Sequence, residues 1–276
     1  MNPEIGKYPV EYYGYFYNDQ SEEAIRSREK EQCPFLSETC KKRRKSDNDI
    51  TIGTCSVGYK KRGQSEYSPH IICPHRFEVD GVFEELKPLF EDRGEFFRVP
   101  EVPLLGTSID YVAGKRDAKG EVIDFAGVEI QALDTTGSVW PYKEAYEREE
   151  DMNEVDGSYG INWAMSITKT MMQQAWKKGH VFNDWGENII FLLQDESLEY
   201  LHQNANTTSL HPAREDDPVH FYAYSMNYDY DEGEYILEID SKVSSDMEGV
   251  SQMMNSSDEE TPPTKEEFQR IVSDRF

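Results

Sequence analysis

The chain has 276 residues, with 29 Lys+Arg against 54 Asp+Glu and a formal net charge of −25. Its 37% apolar and 12% aromatic content suffices for a real hydrophobic core and excludes wholesale disorder. No run approaches a membrane span and the first residues lack the apolar stretch of a signal peptide, so the expectation is a soluble, cytoplasmic protein with no membrane partner.

An aromatic, irregular start (Tyr12, Tyr13, Tyr15, Phe16, Tyr17) leads into Ser21 to Lys30, which reads as a short charged helix. Residues 33–76 hold all four cysteines and show little regular period. Apolar residues at 83, 86, 89 and 90 have helical spacing, and Pro88 is expected to shorten or kink that helix. Ser108 to Ala113 reads as a buried strand ending near Gly114, Lys115 to Gly120 as a turn, and Phe125 to Leu133 as the next strand. Ile161 to Lys178 is the best helix candidate, with Ile161, Met165, Thr168, Met172 and Trp176 on one face and Gly179 as its stop. Asn188 to Gln194 is a strongly apolar strand, while Val219 to Met226 and Glu234 to Ile239 alternate as half-exposed strands. Ser244 to Pro263 is polar, acidic and expected to be mobile, and Lys265 to Arg275 forms a last helix. Strand, strand, helix, strand in the middle predicts an α/β sheet with a crossover helix.

The charge is uneven. Residues 195–276 are net −15 and residues 144–156 net −6, whereas residues 41–62 carry eight bases and two acids. That basic segment, led by Lys41, Lys42, Arg43 and Arg44, reads either as a binding surface for an anionic partner or as a solvated loop.

Cys33, Cys40, Cys55 and Cys73 are spaced C-x6-C-x14-C-x17-C. Disulfides are disfavoured where nothing suggests export, and independent buried thiols would have no reason to cluster. Four thiolates in a tetrahedron would hold together a segment too polar to fold alone, and such a site suits zinc or iron equally.

A second constellation lies on the two central strands. Asp110 sits in the first, and Glu129 and Gln131 sit nineteen and twenty-one residues later in the second. Strand alternation points Glu129 and Gln131 to one face. If the strands are neighbours, Asp110 meets that face, and two carboxylates with phosphate oxygens make a site for Mg²⁺, which can activate water for phosphodiester hydrolysis. The alternative is a solvated Glu129 on a half-exposed strand.

The ordered runs Gln32-Cys33-Pro34-Phe35-Leu36, Cys40-Lys41, Gly53-Thr54-Cys55-Ser56-Val57 and Ile72-Cys73-Pro74-His75-Arg76-Phe77 come next. With Val99-Pro100-Glu101-Val102, Ile109-Asp110-Tyr111-Val112, Glu129-Ile130-Gln131, Asn162-Trp163 and Lys169, they resemble the NotI-type Type II restriction endonucleases over roughly residues 30–200. The resemblance implies a PD-(D/E)xK core, a mixed central sheet flanked by helices, with an irregular N-terminal four-cysteine metal module. It also implies catalytic Mg²⁺ on Asp110 and Glu129, and Gln131 where most such nucleases have Lys. Cys33, Cys40, Cys55 and Cys73 would bind structural iron, or else zinc. A homodimer would cut palindromic, GC-rich double-stranded DNA. Residues 1–80 would then hold the metal module and the DNA-contact segment Lys41, Lys42, Arg43 and Arg44. Residues 81–243 would be the nuclease core and 244–276 an acidic tail. Glu95 or Glu101 would supply a further carboxylate. A nuclease-like module that binds DNA or protein without cutting is the alternative, motivated by Gln131 and the negative charge.

Overall fold

Long alternating strands, and one strand apolar on both faces, set the architecture. The computed structural model describes residues 3–44, 46–61, 63–90, 93–156, 158–254 and 264–274. Lys45 and Arg62 of the basic segment, and residues 255–263 of the acidic one, lie outside them.

The N-terminal region is built from short pieces: β1 (Glu11–Tyr12), β2 (Tyr15–Phe16), α1 (Glu22–Glu29), β3 (Gln32–Cys33), β4 (Glu38–Thr39), β5 (Arg43–Arg44), β6 (Asp47–Thr51), β7 (Thr54–Tyr59) and β8 (Ser68–Ile71). Helix α1 starts where Ser21 Oγ accepts the Ala24 N–H at 3.2 Å, with Glu22 and Glu23 in the positive first turn. Strands β2, β1, β7 and β8 form a four-stranded sheet, while β3–β4 and β5–β6 are two separate ribbons.

Helix α2 (Asp80–Glu84) precedes β9 (Glu95–Leu104), β10 (Thr107–Arg116) and β11 (Val122–Gln131). The helix expected across Phe83 to Phe90 is broken, because Pro88 diverts it into a 3₁₀ turn, Lys87–Leu89. After β12 (Thr135–Thr136), α3 (Trp140–Glu147) and β13 (Gly160–Ile161), a π-helical stretch, Ala164–Met171, runs directly into α4 (Met172–Trp185). Then come β14 (Asn188–Gln194), α5 (Asp195–Asn204), β15 (His211–Pro212), β16 (Val219–Asp229), β17 (Glu234–Ser245), α6 (Met247–Met254) and α7 (Lys265–Ser273). The protein is thus α/β, with a seven-stranded mixed sheet in the order β15-β17-β16-β14-β11-β10-β9. Its parallel pairs are β11–β14 and β14–β16, and the other pairs are antiparallel.

Two apolar cores sandwich the sheet. On one face Ile109, Phe191, Leu193 and Phe221 pack against Met172, Ala175 and Phe182 of α4, Leu198 of α5 and Val250 of α6. On the other, Val128, Ile190, Leu192 and Tyr224 pack against Phe77, Val82, Phe83 and Leu86. Coverage on both sides explains why Val219 to Tyr224 is buried throughout, rather than half exposed as its alternation suggested.

Three further expectations are corrected. The crossover helix does not stop at Gly179 but at Gly186, whose φ of 74° gives the left-handed C-cap. Gly179 lies inside the helix because a Cβ there would stand 2.7 Å from Val219 Cγ2 and 3.0 Å from Met247 Sδ. The π-helical turns also rotate the buried face, since their bonds span one residue more than α-turns. Met165 and Trp176, expected inward, are each 41% exposed, while Ile167, Met171, Ala175, Lys178 and Phe182 are buried. Within the acidic segment expected to be mobile, residues 247–254 form α6, which buries Val250 and Met253. Among the described residues no helix is long and apolar enough to cross a membrane.

Candidate functional site

The site forms where two paired strands part. The β10–β11 ladder runs from Arg116–Val122 to Tyr111–Val128 and stops there, while β11 continues beside β14 through Gln131. The parting frees the Ile130 N–H, and Asp110 Oδ2 accepts it at 2.8 Å. Asp110 is thereby held at the fork next to Glu129, which is 3% exposed on the same strand as Gln131.

A third group arrives from α4. Lys178 Nζ donates to Glu129 Oε1 and, at 2.8 Å, to the Ser108 carbonyl. Lys178 is 3% exposed, so this is a buried ion pair. Burial pushes the Glu129 carboxyl up to about 7; Lys178 pulls the other way and the Asp110 charge adds to the rise. Asp110 is raised as well, chiefly by burial, against the pull of the Ile130 N–H and Lys178. Two like charges in a desolvated fork create a demand for positive charge that one ammonium only partly meets.

The further carboxylates separate cleanly. Glu95 lies at the far end of the hairpin, where Arg116 Nη2 reaches its Oε2 at 3.0 Å. Glu101 sits at the Asp110 end, in left-handed backbone with φ 54°, and its charge raises Asp110. Glu78 also acts on Asp110 and accepts from His75 and the Tyr111 hydroxyl; burial pushes its carboxyl up, but these bonds outweigh that and hold it below its ordinary value. Gln131 shares the strand face but turns away, its Nε2 donating to the Ala132 carbonyl at 2.8 Å. Lys178 is the residue missed in the sequence. A lysine at the apolar spacing Ala175–Lys178–Phe182 was the available signal, hidden because the π-helical turns shift the face.

All four cysteines are free thiols and buried. Cys33, Cys40 and Cys73 all act electrostatically on Cys55, whose thiol is raised first by burial. The Phe35 and Leu36 amides point at the Cys33 sulfur and the His75 amide at Cys73, contacts that favour thiolate. This donor chemistry suits a soft metal. As placed, however, no three His, Cys, Asp or Glu side chains among the described residues form a group that could hold a metal ion.

The basic segment divides. Lys42 turns inward, donating to the Ile72 carbonyl at 2.5 Å and feeling Cys73, Cys55 and Cys40. Lys41 pairs with Glu38 at 3.4 Å, and Arg43 reaches the Asp49 carbonyl at 3.5 Å. Arg44 lies over the Trp140 ring, 4.1 Å from its centroid.

No family model matches this chain, and no curated protein matches it.

Proposed function

We propose that this protein is a Mg²⁺-dependent Type II restriction endonuclease that hydrolyses phosphodiester bonds in double-stranded DNA. The observation that carries the reading is the convergence of Asp110 and Glu129 at the strand fork, with Lys178 on Glu129. The same observation tests the metal. Two carboxylates fit Mg²⁺, which takes one or two protein carboxylates and completes its shell with water and phosphate oxygens. When bound, Mg²⁺ supplies a more acidic water and neutralises charge on the phosphate.

The chain's own residues do the rest. Asp110 is fixed by the Ile130 N–H on Oδ2, which leaves its other oxygen for a ligand. Lys178 orients Glu129, favours its ionised form, and supplies positive charge to a site whose motif position holds Gln131 instead of Lys. Gln131 has no useful basicity and can only orient water. Cys33, Cys40, Cys55 and Cys73 would hold iron or zinc, on donor chemistry alone. A homodimer reading a palindromic site, one subunit per half-site, completes the proposal. Four unpaired thiols accord with a reducing compartment such as the cytoplasm.

A binding module without cleavage is the second reading, favoured by the amide of Gln131 turning to Ala132. One experiment separates them. Purified protein incubated with varied duplex DNA and Mg²⁺ should give discrete fragments, EDTA should stop the reaction, and Asp110→Ala or Glu129→Ala should abolish it while duplex binding persists. Intact but bound DNA supports the second reading, and full activity of Glu129→Ala overturns the site.

A further inference from the structure

Between the cysteine-bearing segment and the chain that follows β11 lies a cleft of about 710 Å³. One wall carries Lys41, Lys42 and Arg44, and the other runs through Leu133 and Asp134 to Trp140. The second wall begins at Leu133, two residues after the end of the strand that bears Glu129.

Arg44 is unusual in this chain. Acids outnumber bases 54 to 29, yet its guanidinium has no carboxylate and no hydrogen-bond acceptor among the described residues. Its neighbours are committed elsewhere: Lys41 to Glu38, Lys42 to the Ile72 carbonyl, and Lys143, which also lies over Trp140, to Glu147 at 2.6 Å. Stacking on an indole fixes the guanidinium plane but leaves its in-plane N–H donors open, and those are the donors that grip an anion in two-point fashion. The Trp140 indole N–H is buried and has no partner among the described residues. Among the described residues, Asp134 is the single carboxylate on the cleft wall.

We propose that Arg44, seated on Trp140, is the anchor for a backbone phosphate of the DNA strand. This rests on the nuclease reading and adds the contact that positions the substrate. A planar donor fork with no internal acceptor meets an anion at no cost in broken ion pairs. A phosphate contact of this kind fixes register on the duplex and carries no sequence information.

The test uses the full chain, duplex DNA and EDTA, with binding followed by fluorescence anisotropy over a range of salt. Arg44→Gln should weaken binding about tenfold on every duplex tried and lower the log–log salt slope by about one, the signature of one lost phosphate contact. Arg44→Lys keeps the charge and should restore the slope but only part of the affinity. Trp140→Ala removes the platform under the guanidinium and should weaken binding a few-fold while leaving the salt slope unchanged. Melting curves matching the unaltered chain show that the variants fold. Unchanged affinity and slope in Arg44→Gln, with cleavage by the unaltered protein intact, overturn the anchor and leave the nuclease reading standing. A loss confined to duplexes altered at one base pair makes Arg44 a base reader and also overturns it. An unaltered chain that neither binds nor cuts any duplex overturns both.

Discussion

At the scale of residues, the decisive group is Glu129. Its folded-state value near 7 lies above the ordinary 4.5, so the folded chain binds that proton more tightly than the unfolded chain. Its contribution to stability is therefore full below about pH 4.5 and is lost as pH rises to about 7. Glu129→Gln should flatten that part of the stability curve, measured as urea midpoints from pH 4 to 8. If Glu129 holds Mg²⁺ as proposed, the same proton competes with the metal, since a ligand must be ionised to bind. Affinity for Mg²⁺ should rise about tenfold between pH 6 and pH 8, the change in the ionised fraction of a group titrating midway, as calorimetry would read it. Lys178 can be tested independently of catalysis. Lys178→Met strands a buried carboxylate and should cost about 3 kcal/mol at pH 8. The loss should be much smaller at pH 5, where Glu129 takes a proton. Equal losses at both pH values would show that Lys178 serves packing alone.

At the scale of elements, the crossover helix decides whether the site forms. Its π-helical start turns Ala175, Lys178 and Phe182 toward the sheet, and Phe182 closes against Gly127, where a Cβ would come 2.6 Å from the ring. Helix propensity alone says that Gly179→Ala should stabilise by about 1 kcal/mol. The close approach of Val219 and Met247 reverses the sign, and the change should cost about 1–3 kcal/mol, read as a lowered thermal midpoint. Gly186→Ala should cost about 1 kcal/mol for a different reason, because only its left-handed backbone, φ 74°, is strained by a side chain.

At the scale of the whole molecule, the cysteine segment is tied to the sheet rather than appended to it. Gln194, at the end of β14, accepts the Ile71 N–H at 2.9 Å and donates to the Pro69 carbonyl at 2.7 Å, and the Leu133 N–H bonds the Ile71 carbonyl at 2.9 Å. From Cys73 the chain leads through His75 and Glu78 to Tyr111, next to Asp110. Elemental analysis of purified protein should find one iron or zinc per chain that Mg²⁺ cannot displace, with a red-brown tint if iron. Cys55→Ser should release it and weaken DNA recognition before the Mg²⁺ site fails. A metal content near zero in active enzyme would leave four ordinary buried thiols. Sedimentation should show a two-fold dimer on palindromic duplex.

Much of the sheet was legible in the chain itself. Asn188 to Gln194 is a strand to the residue, because an unbroken apolar run of that length has one use in an α/β protein: the centre of the sheet. The strands bearing Asp110 and Glu129 were legible for a similar reason, since short apolar runs bounded by glycine turns surround both acids. The convergence was legible only on the condition that the two strands pair, and its details were not. That Asp110 caps the Ile130 N–H depends on where β10 leaves β11, and a strand's own pattern does not record where its partner departs. That Lys178 meets Glu129 depends on π-helical turns, and the packing of Gly179 on Val219 and Met247 keeps the helix running past it. Periodicity assigns faces only while the period is constant. Local sequence determined which segments are strands and helices. Tertiary packing decided the helix register and the strand fork, and through them which buried charges share one site.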